Sequence, residues 1–188
     1  MFADARAIHL LPKVGAAWMP KGTPEEILTP GTNEQHSLAG ALHLTTGVIL
    51  HGVGPRKTHA LFRDLLRLLD RTYPESEVTR LSVMVDNDCT HKAKAIQQWL
   101  ETHPRFAFLW LPTYGPRANP IERAIGEVHD KCTRNHKRKR LRDVVGDIER
   151  HLHQNGPWVY TLSRVYEEPA VTAAVERIAA AQQAKRAA

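Results

Sequence analysis

The chain has 188 residues, of which 42% are hydrophobic and 24% charged. That composition supports one packed domain and excludes a disordered chain, with roughly two-thirds of the unfolded surface expected to be buried at this size. The longest strongly apolar run, Phe106 to Leu111, is far short of the ~18 residues of a membrane span, and the N-terminus lacks the layout of a signal peptide. Two distant cysteines, Cys89 and Cys132, exclude a disulfide scaffold and a four-thiolate zinc site. A soluble, reducing, cytoplasmic setting is the expectation. The net charge of +6 favours an anionic partner. It is concentrated between Lys131 and Arg142, where Lys131, Arg134, Lys137, Arg138, Lys139, Arg140 and Arg142 supply seven positive charges. Such a cluster attracts phosphate by Coulomb force and counterion release; a solvated helix end and loop is the plainer reading.

In chain order, Phe2 to Leu11 reads as a strand. A Pro- and Gly-rich stretch from Gly15 to Gly31 follows, with a short strand expected at Ala16–Met19. The apolar runs Leu38 to Leu44 and Val48 to Leu50 flank Thr45-Thr-Gly47, which predicts a hairpin with Gly47 supplying positive φ. Leu61, Leu65, Leu68 and Leu69 then form a helical stripe after Thr58, ended by Pro74. Leu81 to Val85 is nearly all apolar, the mark of a strand covered on both faces. Ala93, Ile96, Trp99 and Leu100 make a second helical stripe, and Phe106 to Leu111 a further buried strand.

Pro112 to Ala118 is a loop by composition. Asn119 is a good N-cap residue, Pro120 suits the first helical position and Glu122 the third, so a helix opens there with Ile121, Ile125, Val128 and Cys132 on one face. Leu141, Val144, Val145, Ile148 and Leu152 mark another amphipathic helix. Beyond Glu167 the chain is Ala-rich, helical or frayed. Three strands joined by hairpins and then strands alternating with helices imply an α/β fold with a mixed sheet covered by helices, whose site lies beyond the carboxyl ends of its strands.

Three acids fall near such ends. Asp86 follows the strand Leu81–Val85, Glu122 lies in the first turn of the helix after the next strand, and Asp4 interrupts an apolar strand, where an acid costs free energy without compensation. If they converge, their mutual repulsion calls for a cation. Hard oxygen donors suit Mg²⁺ or Mn²⁺, and a pair of such ions about 4 Å apart can carry phosphodiester displacement. Plainer roles are open to each: Glu122 in a capping box with Asn119, Asp86 in a turn, Asp4 at a frayed terminus, and His91 at the surface or in a cap. Cys89 and Cys132 read as small buried hydrophobes, and His151-Leu-His153 has too few partners to argue for zinc.

Val83-Met-Val-Asp-Asn-Asp-Cys-Thr-His91 resembles the strand-end motif of bacterial insertion-sequence transposases of the mariner superfamily, in which an Asp-Asn pair is followed by His five places after the Asp. Leu111-Pro-Thr-Tyr-Gly-Pro-Arg-Ala-Asn-Pro-Ile-Glu122 is similar to their second motif, a Leu-Pro-x-Tyr-Ser-Pro loop running into Asn-Pro-Ile-Glu. The 35 residues between Asp86 and Glu122 agree with that group, and Asp4 to Gly22, with Trp18-Met-Pro-Lys-Gly22, is similar to its first strand and following turn.

The resemblance covers about residues 2 to 155. It implies a ribonuclease-H-like domain over residues 1–155, with a five-stranded sheet of order 3-2-1-4-5, and a helical extension or tail over 156–188. It implies Asp4, Asp86 and Glu122 as a catalytic triad holding two Mg²⁺ or Mn²⁺ ions, for cleavage of DNA at transposon ends and strand transfer to target DNA. Asn87, His91 and Asn119 would be supporting or DNA-contacting groups, and Lys131 to Arg142 would hold the backbone of double-stranded DNA. A homodimer that synapses two ends, in the bacterial cytoplasm and associated with the nucleoid, is the matching assembly. Another ribonuclease-H-like nuclease, or a non-catalytic DNA-binding remnant, are the alternatives.

The chain departs from the pattern at Ala5, where the group has Glu, and at Gly115, where it has Ser. Full-length relatives also carry an N-terminal helix-turn-helix region. A chain opening three residues before Asp4 is accordingly expected to be the catalytic domain alone, as an excised fragment, a second reading frame or a truncated remnant.

Overall fold

The computed structural model describes residues 1–16, 18–22, 26–112 and 119–158. Nine elements follow one another: β1 (Phe2–His9), β2 (Gln35–Leu42), β3 (Ile49–Gly54), α1 (His59–Thr72), β4 (Leu81–Val85), α2 (Lys94–Glu101), β5 (Phe106–Trp110), α3 (Pro120–Thr133) and α4 (Leu141–Gln154). The five strands form one sheet in the order β3-β2-β1-β4-β5, the order the resemblance implies. β1, β2 and β3 are antiparallel neighbours, whereas β4 runs parallel to both β1 and β5.

Strand alternation divides the core into two layers. Phe2 and Ile8 of β1 and Leu38 and Leu42 of β2 face α3 and α4, together with Ile121, Ile125, Val128, Val144 and Ile148. Ala3, Ala39, Ala41, Val83 and Val85 face the opposite way, against α1 and α2. The α1 seam is Leu61, Phe62, Leu65, Leu66 and Leu69. Phe62 and Leu66 therefore replace the expected Leu68, which is only half-buried, because a helix on a sheet buries a broader face than a single stripe. Thr58 caps this helix, its Oγ1 accepting from Leu61 N at 3.3 Å.

The hairpin between β2 and β3 closes as expected. His43 N donates to Val48 O, and Gly47 N to His43 O, both at 2.8 Å. Gly47 sits at φ 69°, and a Cβ there would lie 2.7 Å from Trp158 N. Glycine is thus required both for the turn and for docking of the segment after α4.

The strand expected to be buried at Phe106 to Leu111 is β5, at the sheet edge, where only Phe106 is buried and Trp110 is exposed. Three further expectations fail. β1 stops at His9, where the chain bends and Leu10 N turns to Glu34 O. No strand forms at the described residues of Ala16–Met19 (Ala17 lies outside them). In its place Lys13 makes one isolated bridge to Arg134, and Gly15 exchanges two hydrogen bonds with the Asn135 side chain. The segment after β1 finds its partner in the α3–α4 turn, not in a neighbouring strand. Finally, Cys89 is exposed and Cys132 half-buried, because Cys89 lies on the loop beyond β4. Residues 113–118 of the expected loop, Gly115 among them, and the Ala-rich tail lie outside the described residues.

Candidate active site

Sheet register brings the first two acids together. Phe2 of β1 pairs with Met84 of β4 in parallel, so two residues further on Asp4, within β1, and Asp86, just past the end of β4, occupy neighbouring positions. Phe2 and Met84 both belong to the face covered by α3 and α4, and strand alternation puts Asp4 on that face as well. Asp4 also pairs across β2 with Gly40. A Cβ on Gly40 would lie 3.3 Å from Ile121 Cδ1 and 3.4 Å from Ile125 Cδ1. The missing side chain lets the first turns of α3 settle close to the sheet, carrying Glu122 toward Asp4.

Electrostatics shows the three acids sharing one neighbourhood. Burial pushes Asp4 above its ordinary carboxylate value, and Asp86 adds to this, against opposing pulls from the Ala5 amide, Lys57 and His91. Burial also raises Glu122, reinforced by Asp4 and Asp86 and opposed by Arg6 and Lys57. Among the described residues, no three His, Cys, Asp or Glu side chains form a ready-made metal cage. The carboxylates therefore feel one another's charge without closing on a point, as like charges do.

Asp86 is the most firmly held. Its Oδ1 accepts from Asp88 N at 3.1 Å and lies 2.9 Å from His91 Nδ1, which suits the tautomer with its proton on Nδ1. The His91 side chain is fully buried and packs on Phe62 with ring centroids 4.2 Å apart; among the described residues its Nε2 has no partner. His91 thus lies inside the protein beside Asp86, 1% exposed. Asn87 is exposed, and its amide donates to Leu111 O at 2.9 Å, tying the loop beyond β4 to the end of β5. Asn119 stands at the N-cap of α3, but its side chain makes no capping bond. It is buried, and among the described residues neither polar atom has a partner, so its side chain closes no capping box with Glu122.

The family model for DDE superfamily endonucleases matches residues 1–145. The chain belongs to that family. It is 36% identical over 157 residues to the insertion element IS630 uncharacterized 39 kDa protein of Shigella sonnei, a match covering 84% of this chain and 45% of that one. Among solved structures it is similar to the Mos1 mariner paired end complex with Mn, at TM-score 0.68 and 17% identity over 92% of this chain and 54% of that one. It is also similar to the catalytic domain of Mos1 mariner transposase, at TM-score 0.59 and 16% identity over 96% and 80% of the two chains. The fold is accordingly ribonuclease-H-like. The chain spans about half the length of the IS630 protein and of the Mos1 chain in that paired end complex.

For a DDE endonuclease domain the donor set is the relevant test of a metal. Asp4, Asp86 and Glu122 offer carboxylate oxygens alone, the hard donors that suit a divalent cation, and the Asp86 charge adds to the raised proton affinity of Asp4 and of Glu122. Two further charges at the rim escaped the sequence reading. Lys57, before the N-cap of α1, lies 2.9 Å from Asp88 Oδ2. Burial opposes its charge, yet Asp88, Asp4 and Asp86 together hold the ammonium above its ordinary value. Asp88 is desolvated too, but Thr90 and Lys57 keep its carboxyl well below the usual range. Arg6, two residues beyond Asp4 on the same face, passes α3 at Gly126, where an added Cβ would lie 3.6 Å from its Nη1. No spacing rule marks Lys57 or Arg6; the Asp-x-Asp-x-Thr sequence at Asp86 to Thr90 was the available sign of a loop closed by its own side chains.

The basic segment is not a single helical face. Lys131 lies in the last turn of α3, paired with Glu127 at 2.8 Å. Arg134 lies 3.8 Å from Asp130, Arg138 grips Asp147 through two nitrogens, and Arg142 lies 3.7 Å from Asp143. Lys137, Lys139 and Arg140 are exposed in the turn before α4. Lys131, Arg134, His136, Arg138 and Arg150 line a polar cleft of about 520 Å³.

Proposed function

We propose that residues 1–155 are the catalytic unit of a DNA transposase, in which Asp4, Asp86 and Glu122 hold two Mg²⁺ or Mn²⁺ ions for cleavage of transposon ends and strand transfer. The observation that carries this reading is the β1–β4 register, which sets Asp4 beside Asp86 on the sheet face that α3 covers with Glu122. Family membership supports it, as do the Mos1 complexes solved with Mn and with a transposon end.

Divalent ions at such a site supply activation of the attacking oxygen and neutralisation of the leaving one. The chain's own contribution is placement. His91 and the Asp88 amide fix the Asp86 carboxylate in one rotamer, Gly40 sets the approach of α3, and Asn87 secures the loop beyond β4 to β5. Holding the first ligand rigid reduces the reorganisation required when DNA arrives. The basic turn before α4 takes the DNA backbone. The pairs of Lys131, Arg134 and Arg142 are exposed, each worth about 0–1 kcal/mol, so phosphates displace them at little cost, whereas Asp147 holds Arg138 in place. Synapsis of two ends calls for a homodimer, working on DNA in the bacterial nucleoid.

The test is nicking of a duplex carrying the element's ends in Mg²⁺ or Mn²⁺. Metal-dependent nicking lost in Asp86→Ala and Glu122→Ala supports the assignment. Nicking that persists in both variants overturns it; cleavage of RNA–DNA hybrids without strand transfer favours a different nuclease, and salt-sensitive DNA binding without nicking a binding remnant.

A further inference from the structure

Lys57 belongs to no sequence motif, yet it stands at the edge of the acid cluster by a continuous chain of contacts. Its Nζ lies 2.9 Å from Asp88 Oδ2. The other oxygen of Asp88 is occupied, accepting from Thr90 N at 2.8 Å and from Thr90 Oγ1 at 2.6 Å, so the carboxylate is locked with one face toward the lysine. The Asp88 amide in turn donates to Asp86 Oδ1 at 3.1 Å. The lysine side chain is 32% exposed, so it is not sealed in the core. Arg56, its neighbour in sequence, is exposed.

We propose that Lys57 is a positioning residue of the DDE reaction: its ammonium balances the carboxylates while they are metal-free and takes a phosphate of the bound DNA strand once divalent ions occupy them. This rests on the function proposed above. An ammonium near carboxylates is attracted until divalent cations neutralise them, after which the same site repels it. A phosphate is then its best remaining partner, and a flexible stem with a compact charge suits that exchange. Asp88, gripped by Thr90, keeps the charge at the rim when the carboxylates no longer do. A half-buried ion pair serving structure alone would contribute little, and this one sits one hydrogen bond away from the Asp86 carboxylate, through the Asp88 amide.

The full chain tests this with Lys57→Met, Lys57→Arg and Asp88→Asn. Mn²⁺ binding is measured by calorimetry without DNA, and affinity for an end-bearing duplex in Ca²⁺ across a salt series. Lys57→Met should bind Mn²⁺ roughly three- to tenfold more tightly, because a repelling charge is gone. Its DNA affinity should fall, with the salt slope reduced by about 1. Lys57→Arg should restore the slope, and Asp88→Asn should weaken DNA binding less than Lys57→Met. Unchanged Mn²⁺ affinity and salt slope in Lys57→Met, with only a lowered melting temperature matched by Asp88→Asn, would reduce Lys57 to a structural partner and overturn the inference. The underlying site is read separately: Mn²⁺ binding by the unmutated chain that Glu122→Ala abolishes upholds it. Binding that Glu122→Ala leaves intact, or no binding by the unmutated chain, removes the site and this inference together.

Discussion

Replacing His91 by leucine separates its two jobs, filling space under Phe62 and orienting Asp86. The ring is fully buried and its Nδ1 lies 2.9 Å from Asp86 Oδ1, while Nε2 has no partner among the described residues. Leucine occupies a similar volume, keeps the apolar contact with Phe62 and removes the buried Nε2, and Asp86, 38% exposed, can take water in place of the ring, so stability should fall by no more than about 1–2 kcal/mol. The hydrogen bond to Asp86 is lost. A bond to a charged group is worth about 1.5–3 kcal/mol, which at ~1.4 kcal/mol per decade is roughly 10- to 150-fold in rate if it is felt fully at the transition state. His91→Ala should add a cavity cost of about 2–4 kcal/mol to the same catalytic loss. Nicking of end-bearing DNA at saturating Mg²⁺, with thermal melts of both variants, checks this. Wild-type nicking by a stable His91→Leu would show that Asp86 needs no prop, and the orienting role would fall.

The Gly40 contact predicts that Gly40→Val, which adds bulk where a Cβ already lies 3.3 Å from Ile121, lifts α3 away from the sheet. Nicking should drop at least tenfold through a misplaced Glu122, and a crystal structure should show the helix displaced. Arg105 is a structural clamp. Its buried guanidinium pairs with Asp70 at 2.9 Å and donates to the carbonyls of Val78, Asp70 and Tyr73, joining the ends of α1 and β5. Arg105→Met should cost about 3 kcal/mol, discounted because Asp70 is partly exposed and can rehydrate. That corresponds to roughly 6–12 °C in melting temperature. Glu122 lies above its ordinary value of 4.5, so the folded chain holds this proton more tightly than the unfolded chain. Its stabilising effect is complete below that value and lost as pH rises through the raised one. In EDTA, Glu122→Gln should therefore gain on the unmutated chain as pH rises in a series of melts, and excess Mg²⁺ should reverse the order.

Much of this was legible because local pattern and tertiary demand agree. The apolar run Leu81–Val85, the Thr58 cap, Gly47 and the stripe from Ile121 to Val128 each have one favourable environment, and the structure supplies it. The acids were legible through motif spacing more than through local physics. Asn119 shows the limit: its residue type suits a capping box, but a buried N-cap directs the side chain elsewhere. The Ala16–Met19 segment has strand-like residues, yet Asn135 and Arg134, over a hundred residues away, take the backbone of its neighbours. Lys57, Arg6 and Gly40 matter only because the sheet brings β1, β2 and the β3–α1 turn together, and such long-range juxtapositions leave no mark in a local window.

The most direct measurement is an anomalous difference map from crystals of the chain soaked in Mn²⁺. Density bridging Asp4, Asp86 and Glu122, absent from crystals of Glu122→Ala, is the predicted result. Manganese bound elsewhere, or these three side chains pointing apart with no ion between them at saturating Mn²⁺, would contradict the shared metal site from which the proposed chemistry follows.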